Sequence, residues 1–180
     1  RFDEQGRLWI REAGPQAFGE ADTLRVSVYR RLNDGVPLKV TTRFELNVAG
    51  RARETSLGKV FLADARPVDA RSPLPVQISP EGELKVYVRP GTHQIEIDAY
   101  LTAPKEEIAV PKPSKDFFDD QEIWVWEPDE ALRSVELSGL LTIDPGRTTL
   151  PEDWRGSTTL LAQPGKSLTL KTTRRGEVDT

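Results

Sequence analysis

The chain has 180 residues, with 29 acidic and 25 basic side chains giving a formal net charge of −4, and it has one histidine, no cysteine and no methionine. Interspersed charge without a basic stripe argues against a nucleic-acid surface. Absent cysteine excludes disulfides, a thiolate nucleophile and zinc–thiolate sites, and no run of about 18 apolar residues is present to span a membrane. A chain this long buries a real core and makes one domain or two small ones.

Taken in order, Arg7–Arg11 reads as a short strand and Ala13–Ala21 as a loop. Leu24–Leu32 alternates, with Leu24, Val26 and Val28 against Arg25, Ser27 and Tyr29. Asn33-Asp34-Gly35 then supplies the residues that tolerate the positive φ of a tight hairpin. In the next run Val36, Leu38, Val40, Thr42, Phe44, Leu46 and Val48 share one phase, so 24–48 is expected to be an antiparallel hairpin. Glu54–Leu62 reads as a strand without a clear face, Asp64–Pro75 as an irregular crossing, and Val76–Ser79 as a short strand. Glu83–Leu101 has the cleanest period-two pattern: Leu84, Val86 and Val88 before Pro90-Gly91, then Ile95, Ile97, Ala99 and Leu101 after it. It is expected to be a hairpin with one face in a core and one in water.

Ala103–Asp120 breaks the alternation with Pro104, Pro111, Pro113 and several charges, the mark of a linker or a long surface crossing. Beyond it, Gln121–Trp126, Val135–Leu141, Thr158–Ala162 and Ser167–Thr173 read as strands, with turns at Asp144-Pro145-Gly146 and Pro164-Gly165-Lys166. Helical spacing is confined to a turn or two at Pro128–Arg133 and Pro151–Trp154. The expected fold is therefore an all-β antiparallel sandwich, with transthyretin-like, Greek-key and jelly-roll orders all open. The expected organisation is a sandwich core over 1–103, a Pro/Lys-rich crossing over 104–120, and strands over 121–180. Those last strands either complete the sandwich or form a small β appendage, which would be marginal alone.

Chemistry-bearing residues are few. His93 begins a strand in phase with Ile95 and Ile97, and no nucleophile elbow accompanies it, so it reads as structural. Asp116, Asp119, Asp120 and Glu122 form the densest acidic cluster. The first three are a weak calcium candidate, because their spacing does not match a calcium loop and Phe117-Phe118 interrupts it. Trp124 and Trp126 share one strand face while Ile123 and Val125 share the other. The indoles are either core, in a strand covered on both sides, or an exposed platform for stacking on sugar rings or a partner chain. Trp154 is expected to plug a short turn onto the sandwich. Arg25, Tyr29, Lys39, Arg43 and Glu45 form an outward mixed-charge face.

The segment GELKVYVRPGTHQIEIDAY resembles the strand–Pro-Gly–strand signature of transthyretin-like and PEGA-type β-sandwich modules. Over nearly the whole chain, DEQGRLWIRE, VSVYRRLNDGVPLKVTTRFEL, QEIWVWEPDEALRSVELSG, IDPGRTTLPEDW and LAQPGKSLTLKTTRRG resemble a β-rich segment of long, uncharacterised, envelope-associated proteins of Gram-negative bacteria. That resemblance implies a periplasmic or envelope location and a multidomain parent, and it carries no catalytic residue. A chain that opens Arg1-Phe2-Asp3 and lacks methionine is expected to be an excised or processed piece. The expected function is a non-catalytic structural or interaction module without cofactors. Its expected partners are neighbouring domains of the parent, another envelope protein or a glycan. A carbohydrate-binding module using Trp124 and Trp126 is the alternative, and a hydrolase domain a further one.

Overall fold

The structure, a computed structural model, describes residues 21–175; the strand candidate Arg7–Arg11, with Trp9, lies outside them. Its strands are β1 (Thr23–Asn33), β2 (Lys39–Ala49), β3 (Arg53–Lys59), β4 (Ala65–Arg71), β5 (Val76–Ile78), β6 (Glu83–Val88), β7 (Gly91–Leu101), β8 (Glu107–Ala109), β9 (Glu122–Glu127), β10 (Arg133–Ser138), β11 (Leu141–Ile143), β12 (Thr158–Ala162) and β13 (Ser167–Arg175). They form a seven-stranded sheet, β11-β12-β9-β1-β2-β7-β4, and two three-stranded sheets, β3-β6-β5 and β10-β13-β8.

Side-chain phase explains how these sheets stack. Val26, Val28 and Leu32 lie on one face of β1, and Val40, Phe44 and Leu46 on one face of β2, because residues two apart on a strand point the same way. The lower part of that face packs Phe44, Ile95 and Ile97 against Leu57, Leu84 and Val86 of the β3-β6-β5 sheet. The upper part packs Leu32, Trp124 and Trp126 against Ile108, Leu168 and Leu170 of the β10-β13-β8 sheet. One broad sheet is thus covered on a single face by two small sheets, each with its own core. The fold is an all-β sandwich.

Four sequence expectations change. The Glu83–Leu101 stretch is not a hairpin: β6 pairs with β3 and β5, while β7 pairs with β2 and β4. Both halves aim their apolar residues into the same core from facing sheets, so the chain arches from one layer to the other, with Gly91 at φ 123° at the corner. Second, β1 and β2 pair in the expected register from Thr23↔Ala49 to Asn33↔Lys39, but through a longer loop. Asn33, Asp34 and Gly35 keep negative φ, and Asp34 is buried, where its carboxylate accepts hydrogen bonds from Arg133. Third, Asp64–Pro75 contains β4, whose Pro67 is tolerated because β4 is an edge strand with a register shift between Pro67 and Asp69.

Fourth, the sandwich is not purely antiparallel: β9 runs parallel to β1, from Tyr29↔Ile123 to Asn33↔Glu127. A parallel neighbour needs a long crossover, and the stretch between β7 and β9 supplies it. That stretch is pinned along its length rather than being a free linker. Ile108 and Val110 are buried, Ser114 Oγ donates to the Leu57 carbonyl at 3.0 Å, and the Phe117 carbonyl accepts from the Val26 N–H at 2.9 Å. Strands β9, β12 and β11 then extend the main sheet beyond β1.

Candidate functional site

Trp124 and Trp126 are 0% and 3% exposed, beneath the β10-β13-β8 sheet. This corrects the platform alternative: an indole under a second β-layer cannot stack on a sugar ring. The opposite face of β9 is covered as well, since Val125 packs with Tyr29, Leu150 and Trp154. The strand is apolar on both faces because protein lies on both.

The acidic cluster disperses. Asp119 is taken by Arg25 Nε at 2.9 Å and Ser27 Oγ at 2.6 Å, while Asp116 and Asp120 are exposed. Among the described residues no group of three or more His, Cys, Asp or Glu side chains is placed to hold a metal ion, so the calcium candidate Asp116, Asp119 and Asp120 does not assemble. His93 is half-buried at the end of β7, its Nε2 2.8 Å from the Arg89 carbonyl oxygen.

Glu122 has a role that loop reading missed. It begins β9, and its carboxylate is forked by Arg30, with Nε at 2.7 Å from one oxygen and Nη2 at 3.0 Å from the other. Trp124 Nε1 also donates to it at 2.7 Å. Arg30 is 2% exposed and lies in the inward phase of β1, between the two apolar cores. Its remaining donors reach the Val60 carbonyl at 2.7 Å and Thr42 Oγ1 at 3.2 Å, so a polar seam separates the cores. The only sequence signal was a charged residue in phase with Val26, Val28 and Leu32.

The densest polar constellation lies on the outer face of the main sheet. Cross-strand register aligns Arg43 with Glu96 and Arg71, and Thr41 with Asp98 and Asp69. Arg43 Nε donates to Glu96 at 2.6 Å, and its Nη atoms donate to Asp153 at 3.2 and 3.1 Å. Arg71 reaches Asp98 at 3.0 and 3.2 Å and Asp69 at 2.8 Å, and Thr41 Oγ1 donates to Asp98 at 2.8 Å. The Arg71 hydrogen bonds hold the Asp98 carboxyl down at about 2, and Arg43 likewise holds Asp153 below its ordinary range. Burial pulls Arg43 down, and its bonds to Asp153 and Glu96 outweigh that, leaving it raised. Asp98 and Asp153 are thus held ionised and tied to arginines in an electrostatic lattice across this face.

The expected outward face is also partly covered. Tyr29 and Arg43 are buried because the Leu150–Trp154 stretch folds back over them. Trp154 is sealed there as the plug expected of it, with the Arg31 and Arg43 guanidinium carbons 4.8 and 4.6 Å from its ring centroid.

No family model matches this chain, and no curated protein matches it. Among solved structures it is similar to a two-domain M1 zinc metallopeptidase variant bound to L-tryptophan, at 14% identity and TM-score 0.44, over 84% of this chain and 43% of that one. It is also similar to the M1 zinc metallopeptidase from Deinococcus radiodurans, at 15% identity and TM-score 0.44, over 82% of this chain and 42% of that one. The chain thus spans less than half the length of those proteins, and a likeness at this level carries no argument about activity.

Proposed function

We propose that the chain is a non-catalytic structural and interaction module of a larger bacterial envelope protein, in contact with neighbouring domains of that parent. The observation that supports this most directly is the commitment of its polar side chains to the fold. Glu122, Glu96, Asp98 and Asp119 each accept from an arginine, and the two indoles of β9 lie under a second sheet. The envelope location rests on the resemblance of the sequence to long envelope-associated proteins.

The test incubates the purified protein with peptide, ester and glycoside substrates and with a glycan panel. No turnover and no glycan binding are expected, and His93→Ala should change nothing. Reproducible turnover of any of these substrates, or turnover abolished by His93→Ala, would overturn the reading. Fractionation of a Gram-negative host expressing the full-length parent should place the protein with the envelope, and recovery in the cytosol would refute the location.

A further inference from the structure

Strand β13 is longer than its neighbour β8. β10 pairs with it from Thr169 to Arg175, but β8 pairs only with Ser167–Thr169. One further bond, from the Leu170 N–H to the Glu106 carbonyl at 2.7 Å, ends that side of the ladder. From Lys171 to Arg175 the edge of β13 away from β10 has no strand beside it among the described residues. An edge of this kind is a template for another chain.

What adjoins the edge gives the chemistry of that chain. A cleft of about 560 Å³ is lined by Val36, Leu38, Leu101 and Leu132, with Arg133, Thr172 and Arg175 at its margin. Val36 is 84% exposed, the most of any large apolar side chain described. Lys171 and Arg174 line the surface that continues along β13. Lys105 and Arg133 join them, against one carboxylate on that surface, Glu106, in a chain whose net charge is −4. Arg133 and Arg175 stand directly opposite one another across the β10–β13 ladder, a like-charge pairing that costs stability unless an anion lies near. Asp34 compensates Arg133, with bonds of 3.0 and 2.6 Å. Among the described residues no carboxylate does so for Arg175.

We propose that this edge of β13 accepts an extended segment of a partner protein, with alternating apolar and acidic residues, as an added strand. An extended strand presents successive side chains in opposite directions. One set would fill the cleft over Val36, Leu38, Leu101 and Leu132, with Arg175 at its margin, while the other meets Lys171 and Arg174, and main-chain hydrogen bonds supply the rest. The proposal rests on the interaction-module reading and names the class of partner.

The test titrates the full chain into a fluorescently labelled, blocked peptide of alternating valine and glutamate and follows anisotropy. Saturable binding that weakens as salt rises from about 50 to about 300 mM is expected. Arg175→Glu and Val36→Asp, both at exposed positions, should each weaken it by about tenfold or more while leaving the melting curve in place. A valine–lysine peptide should not bind. The idea is overturned by no saturation up to about 1 mM peptide, by equal binding of the lysine peptide, or by variants that bind normally. Decanoate binding in the cleft without competition by the peptide would also overturn it, by giving the cleft to a small amphiphile. Mass spectrometry of the recovered peptide separates the two readings. Cleaved peptide would sink the non-catalytic function, whereas intact but unbound peptide would sink the docking proposal alone.

Discussion

The Trp124 indole is out of water yet keeps its N–H bonded to Glu122, so it meets both demands of a buried tryptophan. Trp124→Ala and Trp126→Ala should each cost about 3–5 kcal/mol, read as a drop in the urea midpoint. Near-wild-type stability in both variants would show that the indoles are not core. Glu122→Ala should cost a further class of energy, about 3–5 kcal/mol, because it strands the Arg30 guanidinium between two apolar cores. Arg30→Met combined with Glu122→Met should recover much of that loss, since no charge is then left unpaired. Asp98 makes a pH prediction. Its folded pKa, lowered to about 2 by Arg71, lies below the unfolded value of 3.8, so the unfolded chain takes up the proton first as pH falls. The stabilisation is complete above about pH 4 and is lost toward pH 2, so Asp98→Asn should flatten the acid limb of a stability–pH curve measured across that window.

Among the elements, the crossover from β7 to β9 shows most plainly what local pattern hides. Its prolines and charges read as a linker, yet Ile108 and Val110 are buried and β8 pairs with β13. Its two ends should therefore respond differently to trypsin. Lys115 is exposed and should be cut first, since Pro113 shields the bond after Lys112 from trypsin, whereas Lys105, partly buried and paired with Asp64, should resist. First cleavage at Lys105 in a digestion time course would contradict this placement. The β6–β7 arch makes a related point. Period-two alternation establishes which side of each strand faces a core, and says nothing about whether two consecutive strands pair or face each other across that core. Leu84 and Ile95 meet across the layers, not along one sheet.

At the scale of the whole molecule, the C-terminal strands and the N-terminal hairpin share one sheet and one core. β9 lies between β1 and β12, and Leu32, Val40 and Leu101 pack with Trp124, Leu160 and Leu168. A fragment ending at residue 120 would expose that half of the inner face and the hydrogen-bonding edge of β1. It should fail to fold, with poor amide dispersion by NMR, while the full chain melts in one cooperative transition. A well-dispersed spectrum from the fragment would instead mark two independently stable units.

The longer strands and their facing were legible from the sequence, because pleating forces a period of two on a strand with one wet face, as in Leu38–Val48 and Ile95–Leu101, whereas β4 and the short β8 lay in stretches read as crossings. The burial of Arg30 and Glu122 was not, since a fork between charges 92 residues apart leaves no local trace. Nor was the parallel entry of β9 beside β1, the division of the inner face between two small sheets, or the cover that Trp154 places over Arg43. Each depends on which strand edges meet in space. Alternation marks the face a residue presents, and only the tertiary arrangement decides what that face meets.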